Sequence, residues 1–372
     1  MNNIDLLINY TGLPLFWVKL ILSFIFSFII TFYSIPAIIK ISRRKNLMDE
    51  PGIRSSHLRK IPNLGGIAIF ASIGFCAPIF AYELFDSYKF LFASLVILLY
   101  IGVMDDIVVV RAYKKLLAQI IVTILMVLGS DVRITSFFGL FGIYEITYFV
   151  SVLVSSIIFI ILINAFNLID GIDGLSGGFA IICSVVFGLS YFRLGEYSYP
   201  LVVLCMIIIA SVLAFLYYNL SNYRMNKIFM GDTGSLLIGF LLAFTAIIFI
   251  NLFVDKANPN IPKYHLQSAP VIAVAILILP IVDTLNVIVI RILKRKSPLS
   301  PDKNHIHHKL LKLDLTHRRS SFYIICYYVI VVAIAYYLRH LNINLLFVIV
   351  MSIGFFGCYL PDIILKLKKS NI

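Results

Sequence analysis

The sequence predicts an all-α polytopic membrane protein, built as one domain over residues 1–372 with about 11 transmembrane helices. Hydrophobic residues make up 61% of the chain, more than a soluble domain of this length carries, so lipid is the expected solvent for most of it. Apolar windows of about 20 residues, the length that crosses a bilayer as a helix, recur along the whole chain. The basic residues lie mainly in the short loops between these windows.

The predicted spans follow one another with short connections. The fourth span is short, and residues 131–146 after it are predicted to form a small exterior hairpin or an interfacial segment. The spans lie near residues 14–40, 64–84, 88–104, 116–130, 147–166, 175–192, 199–218, 234–254, 268–292, 320–339 and 344–365.

The distribution of charge predicts the orientation. If the loop after the first span is cytoplasmic, the loops on that side hold roughly 24 of the 31 Lys and Arg residues. This bias predicts an exterior N-terminus, a cytoplasmic C-terminus and an odd number of spans. It also accounts for the net charge of +13 without nucleic acid, which we do not expect as a partner. No GxGxxG fingerprint or P-loop is present, so we expect no dinucleotide-binding or ATP motor domain.

The segment NAFNLIDGIDGLSGG, residues 164–178, is unusually polar for a junction between two apolar runs. A carboxylate held in hydrocarbon costs about 2.5–3.5 kcal/mol, so a metal ion or a substrate is expected to compensate for these charges. The structural alternative is a polar loop between two spans. Amides and carboxylates recur here every third residue, which places them on roughly one helix face: Asn164, Asn167, Asp170 and Asp173.

Two further acidic motifs fall on the same predicted cytoplasmic side. Asp105 and Asp106 close the third span, and adjacent acids repel unless a cation is near, which favours a metal site or a base beside one. Lys115 begins the next helix and shares a face with Gln119. Asp232 lies in a GDTGS turn at the start of the eighth span, where an acid is otherwise a helix cap. Mg²⁺ typically takes one or two carboxylates and fills its shell with water and phosphate oxygens.

Basic and histidine residues complete the set of candidates on that side. Lys60, in the loop 48–66, is either a phosphate contact or an ordinary positive-inside residue. Asp283 and Arg291 lie about two turns apart on one side of the ninth span, where an acid is rarely idle. A histidine group follows that span, and we favour contacts to a diphosphate or sugar over zinc, because no cysteine or HExxH helix accompanies it: His305, His307 and His308.

These motifs, in this order and on this side, resemble the bacterial polyprenyl-phosphate N-acetylhexosamine-1-phosphate transferases, whose relatives make the first lipid intermediate of peptidoglycan. The resemblance covers Asp49 to about Leu311, and the HIHH form is similar to the N-acetylglucosamine branch. Four motifs carry it: DD at 105–106, NAFNLIDGIDGLSGG at 164–178, GDTGS at 231–235 and PDKNHIHHKL at 301–310.

The resemblance implies a reaction at the cytoplasmic face of the bacterial inner membrane. A UDP-N-acetylhexosamine, foremost UDP-N-acetylglucosamine, would give its sugar-1-phosphate to undecaprenyl phosphate and release UMP, initiating cell-envelope polysaccharide synthesis such as O-antigen or teichoic acid. The implied cofactor is Mg²⁺, with Mn²⁺ as the substitute, and a homodimer is a candidate assembly within the lipid bilayer.

The resemblance also implies roles for the residues. Asp232, Asp106 and Asp173 are the implied metal ligands, and together with Asp105 they form the implied catalytic set. Asp105 and Asp106 would assist metal binding or deprotonate the lipid phosphate. The remaining residues would contact the substrates: Lys60, Lys115, Asn164, Asn167, Asp170, Asp283, Arg291, His305, His307 and His308.

Other readings of the sequence remain open. A transporter explains many spans, but its functional charges are expected near the midplane and not at one face. A CDP-alcohol phosphotransferase is disfavoured, because that motif needs an alanine-arginine pair where Gly174 and Leu175 stand. Within the resembled family the sugar is alternatively N-acetylgalactosamine, N-acetylfucosamine or N-acetylquinovosamine. The lipid phosphate attacks either the β-phosphorus directly, which we favour as simpler, or an aspartyl intermediate.

Overall fold

The structure is a computed structural model that describes residues 14–48, 60–254, 266–295 and 304–370. Within these residues the chain is almost entirely helical. The helices are α1 (Leu15–Arg44), α2 (Gly65–Phe80), α3 (Glu83–Ser87), α4 (Leu91–Val108), α5 (Ala112–Ile124), α6 (Tyr148–Ile169), α7 (Leu175–Leu194), α8 (Tyr199–Asn219), α9 (Gly231–Leu252), α10 (Ala269–Ile276), α11 (Ile278–Leu293), α12 (Ile306–Leu311), α13 (His317–Tyr337) and α14 (Ile343–Ser370).

The predicted polytopic helical membrane protein is confirmed. Nine helices of the described residues are long and apolar enough to cross a membrane, and ten if the bent pair α10–α11 forms one span. Helix α2 is apolar but has only 16 residues. The predicted count of about 11 and the predicted orientation stay predictions. Between α5, which continues as a π turn over Leu125–Gly129, and α6 lies the predicted hairpin, with β1 (Ser136–Leu140) antiparallel to β2 (Ile143–Glu145).

The ninth span, predicted near 268–292, consists of two helices in the structure. Helices α10 and α11 meet at a 75° bend. Pro280 explains the position of the break, because proline has no N–H to donate to Ile276 four residues earlier and its ring clashes with that carbonyl. The freed Ile276 carbonyl accepts the Tyr328 hydroxyl at 2.5 Å and the Cys183 thiol at 3.2 Å. The bend therefore leaves a satisfied backbone and turns α11 away from α10.

Helix α9 is the centre of the bundle. Its spanning window is 89% buried, against 28% for α1 and α14, and it packs on α2, α4, α6 and α7. Glycines allow the close approach at its first turn. A Cβ atom on Gly66 would lie 2.0 Å from the Gly234 nitrogen, and one on Gly102 would lie 2.5 Å from the Thr233 Cα. The start of α9 is thus held between α2 and α4, and the candidate site is built at that end.

Candidate active site

The turn before α9 is fixed by backbone hydrogen bonds from the first residues of α2. The Gly65 N–H donates to the Phe229 carbonyl at 3.0 Å, and the Gly66 N–H donates to the Met230 carbonyl at 2.8 Å. Gly231 has a φ of +73°, and a Cβ there would lie 1.9 Å from the Asn63 carbonyl oxygen. Only glycine tolerates both conditions. The GDTGS motif therefore opens a helix whose first N–H groups face α4.

Asp106, at the end of α4, caps α9 from outside. Its carboxylate accepts the Asp232 N–H at 2.8 Å, the Thr233 N–H at 3.0 Å and the Thr233 hydroxyl at 2.6 Å. The Asn63 amide adds a bond at 3.4 Å. The N-cap position of α9 is Met230, which has no side-chain cap of its own. A carboxylate at a helix start is favourable for the exposed N–H groups and the helix dipole.

Two carboxylates beside this cap share one lysine. The Lys115 ammonium lies 2.8 Å from Asp105 Oδ2 and 3.1 Å from Asp232 Oδ2. The Asn167 amide donates to Asp232 Oδ1 and, at 2.7 Å, to the Ser235 hydroxyl. Asp105 also accepts the Val110 N–H at 2.5 Å. The structure therefore brings four predicted residues from four helices into one cluster, which we call the lysine-bridged cluster: Asp105, Lys115, Asn167 and Asp232.

The donor set of the lysine-bridged cluster fits a hard divalent cation. Mg²⁺ takes one or two carboxylates and completes its shell with water and substrate phosphates. Asp105 and Asp232 already face a common cation, the Lys115 ammonium. The described residues contain no group of three or more His, Cys, Asp or Glu side chains arranged to hold a metal ion by themselves. The two oxygens of Asp106 are engaged by α9, which leaves Asp232 and Asp105 as better placed donors.

The loop after α6 holds the other two predicted carboxylates. The Ser176 hydroxyl donates to Asp170 at 2.5 Å. Loss of hydration raises the pKa of the Asp170 carboxyl to about 7. Asp173 is buried, and its carboxylate accepts a bond from the Lys227 ammonium at 2.5 Å. The Ser321 hydroxyl binds the Asp173 carbonyl at 2.7 Å, which ties the loop to α13. Asp173, a predicted metal ligand, therefore already has a cationic partner.

Asn164 lies within α6, which ends at Ile169. Its amide nitrogen donates to Gln119 Oε1 at 2.6 Å, and the Gln119 amide donates back to Asn164 Oδ1 at 3.2 Å. These two hydrogen bonds link α5 to α6. The shared face predicted for Lys115 and Gln119 is confirmed, since both reach toward α6 or α9. The predicted substrate contact of Asn164 stays a prediction.

The histidine segment forms the opposite wall of the loop. The His307 Nε2 atom lies where a Cβ on Gly171 would approach to 2.5 Å, so glycine is required for this contact. Burial lowers the pKa of His307 to about 3, with His308 acting in the same direction, so this imidazole is neutral at physiological pH. The His305 ring stacks on His307 at 5.7 Å with an interplanar angle of 8°.

The remaining predicted residues lie at the margin. Asp283 is fully buried in α11 and binds His305 at 2.8 Å, and Arg291 is buried in the same helix. Lys60 is exposed beside the segment that pairs with 228–231. The sequence did not predict that Asn63 donates a hydrogen bond to Asp106 or that Lys227 pairs with Asp173. Neither residue belongs to a recognisable motif. Four polar residues of the loop 48–66 and of the motif at 301–310 lie outside the described part of the chain: Arg54, His57, Arg59 and Asp302.

Comparison with known proteins identifies the family. The sequence model of glycosyl transferase family 4 matches residues 88–250. An undecaprenyl-phosphate alpha-N-acetylglucosaminyl 1-phosphate transferase of Escherichia coli O157:H7 is 30% identical over 287 residues, 76% of this chain and 73% of that protein. The chain belongs to the same family as this transferase. A probable undecaprenyl-phosphate N-acetylglucosaminyl 1-phosphate transferase of Bacillus subtilis is 32% identical over 314 residues, 82% of this chain and 80% of that protein.

The residues matched by the family 4 model include only part of the candidate site. The matched residues 88–250 contain the lysine-bridged cluster and the loop with Asp170 and Asp173. The histidine segment and Asp283 follow the match. A Salmonella typhi relative named undecaprenyl-phosphate alpha-N-acetylglucosaminyl 1-phosphate transferase is 30% identical over 308 residues, 81% of this chain and 78% of that protein. The resemblance drawn from the four motifs is thus confirmed at the level of the family.

Proposed function

We propose that this family 4 protein transfers N-acetylglucosamine-1-phosphate from UDP-N-acetylglucosamine to undecaprenyl phosphate and releases UMP. The step would initiate a cell-envelope polysaccharide at the inner membrane of a bacterium. The observation that carries the proposal is the lysine-bridged cluster, in which two carboxylates, a lysine and an amide meet at the end of a membrane bundle. The names of the relatives support the sugar, the lipid and the reaction.

The geometry suits phosphoryl transfer, which depends on positioning and charge neutralisation more than on covalent help. In the reaction an oxygen of the lipid phosphate bonds to the β-phosphorus of the UDP-sugar. The bond from that phosphorus to the bridging oxygen breaks, and UMP leaves with the oxygen and the electron pair. The lipid phosphate is itself the nucleophile, so one displacement suffices.

The residues of the cluster have separate tasks in this proposal. Mg²⁺, or Mn²⁺ in its place, would supply charge neutralisation at the diphosphate when held by Asp232 and Asp105. Lys115 is the protein cation closest to both carboxylates and would meet an entering phosphate oxygen. Asn167 holds Asp232 in place through its amide. Asp106 keeps the start of α9, and therefore Asp232, in register.

The test is UMP release by purified protein with undecaprenyl phosphate and Mg²⁺. UDP-N-acetylglucosamine is compared with the UDP forms of N-acetylgalactosamine, N-acetylfucosamine and N-acetylquinovosamine. We expect release with the first sugar, none without the lipid and none with chelator. The matched variants are Asp232→Asn, expected to be inactive, and Asp314→Asn at an exposed surface ion pair, expected to be active.

Four results would contradict the proposal. If none of the UDP-sugars in the panel yields UMP, a transporter is favoured. If only a sugar other than N-acetylglucosamine yields UMP, the proposed substrate is wrong. Normal turnover in Asp232→Asn would remove Asp232 from the chemistry. Labelled UMP that exchanges into the UDP-sugar without any lipid would overturn the direct displacement in favour of a covalent intermediate.

A further inference from the structure

Asp283 is a fully buried acid within the membrane helix α11, and both of its oxygens are committed to one neighbour segment. Oδ2 lies 2.8 Å from His305 Nδ1, and Oδ1 accepts the Ile306 N–H at 2.8 Å. A carboxylate buried in this position is costly unless it is fully hydrogen-bonded, so both of its hydrogen bonds are informative. Both bonds serve α12, whose N-cap residue His305 has no capping bond of its own.

The contact determines which edge of the His305 ring is available. A carboxylate only accepts hydrogen bonds, so Nδ1 must carry a proton and donate it to Asp283. Nε2 is then the ring nitrogen that Asp283 does not engage. The ring faces His307, whose Nε2 edge lies against Gly171 in the loop of Asp170 and Asp173. His305 is thus oriented from α11 and stacked toward the candidate site.

Resting on the proposed function, we propose that Asp283 is a positioning residue that fixes the His305 ring so that Nε2 contacts the UDP-sugar. Asp283 itself does not touch the substrate, because its oxygens are used and it is 0% exposed. This replaces the substrate contact that the sequence suggested for Asp283. The sugar nucleotide is the expected partner because the stack of His305 on His307 leads to Gly171, in the loop of Asp170 and Asp173.

The informative variant is Asp283→Asn. The amide oxygen still accepts the Ile306 N–H, so α12 stays anchored, but the amide nitrogen now donates toward His305 Nδ1. His305 Nδ1 must then lose its proton, and the proton of the neutral ring moves to Nε2. A carboxylate that orients a histidine is typically worth about 10–100-fold in metal sites, and we expect a KM increase for the UDP-sugar of that order. The KM for undecaprenyl phosphate should change by less than about threefold on the same scale.

Another ion pair that anchors α12 provides a matched control. Lys309 anchors α12 through a 2.6 Å ion pair with Asp362 of α14. Asp362→Asn removes one anchor of α12 without touching His305, so it should leave the KM for the UDP-sugar near the wild-type value. Equal KM increases in Asp362→Asn and Asp283→Asn would show that Asp283 only holds the helix, and would overturn the proposal.

Two measurements keep the inference testable if Asp283→Asn folds poorly. Nitrogen-15 spectra of histidine-labelled protein, assigned with His305→Gln, should show a protonated Nδ1 in wild type. An unprotonated Nδ1 there would refute the proposal whether or not the protein is active, so it is separable from failure of the proposed function. The Gln amide reaches the Nε2 position and the Asn amide only the Nδ1 position, so His305→Gln should keep more turnover than His305→Asn. The reverse order would also refute it.

Discussion

Asp106 offers the sharpest separation of a structural from a metal-binding role. The sequence suggested a metal ligand, whereas the structure shows a carboxylate that caps α9 from a neighbouring helix. Asp106→Ala removes the acceptor for three donors at 2.6–3.0 Å. Asp106→Asn keeps one oxygen, which satisfies Thr233, but turns an amide nitrogen toward the N–H of Asp232 and the amide of Asn63.

The magnitude follows from these contacts. A donor left without an acceptor costs about 1–3 kcal/mol, and loss of an N-cap typically costs about 1 kcal/mol. The side chain is only partly buried, so water replaces some of the lost bonds. We expect a loss of about 2–4 kcal/mol for Asp106→Ala and about 1–2 kcal/mol for Asp106→Asn in the stability of the folded chain.

The assay is the apparent melting temperature in detergent, measured beside UMP release. A kcal/mol corresponds to about 2–4 °C in domains of 150–250 residues, so Asp106→Ala should melt several degrees below wild type. Asp232→Asn should melt near wild type but be inactive, and Asp314→Asn should change neither property. An Asp106→Ala protein that melts within about 1 °C of wild type yet has lost turnover would refute the cap and restore the metal ligand.

Three further predictions concern the two walls of the site. Lys115→Gln should lower turnover and increase the affinity for Mg²⁺, read by metal titration, because the ammonium competes for Asp105 and Asp232; unchanged affinity would contradict this. His307→Ala should raise the KM for the UDP-sugar more than the KM for the lipid. Because the pKa of His307 is about 3, the increase should be the same from pH ~6 to ~9. An increase that grows as the pH falls would show that the imidazole is charged. Gly171→Ala should reproduce the His307→Ala phenotype, because its Cβ would lie 2.5 Å from His307 Nε2, and the double variant should be no worse than either single one.

The sequence was sufficient for the class of fold and for the identity of most polar residues at the site. Length and hydropathy predict the spans, and of the two alternatives left open for residues 131–146, a hairpin or an interfacial segment, the structure shows the hairpin. The break at Leu277 was missed, although Pro280 marks it, because a 25-residue apolar window hides a proline near a helix start. Asn63 and Lys227 had no pattern to announce them, since their roles depend on which loops the bundle brings together.

The pattern also could not say which acids are available to a ligand. Asp106 and Asp283 both look like intramembrane functional carboxylates, yet each one caps a helix that begins nearby in space and not in sequence. Helix starts buried in a bundle need acceptors, because water does not reach their N–H groups. Acids of this kind are therefore recognisable only after the helices are packed.

With those two acids assigned to helix caps, the charge of the site can be counted. Asp105 and Asp232 contribute two negative charges and Lys115 one positive charge, which leaves a net charge of −1 in the lysine-bridged cluster. Asp173 is balanced by Lys227. A diphosphate would be repelled by a net negative cluster, whereas a divalent cation that enters with it reverses the sign. The arrangement therefore favours binding of the sugar nucleotide together with its metal. We expect the affinity of the wild-type protein for the UDP-sugar to fall when Mg²⁺ is withheld, and to fall less in Asp232→Asn, where Asp105 and Lys115 already balance each other.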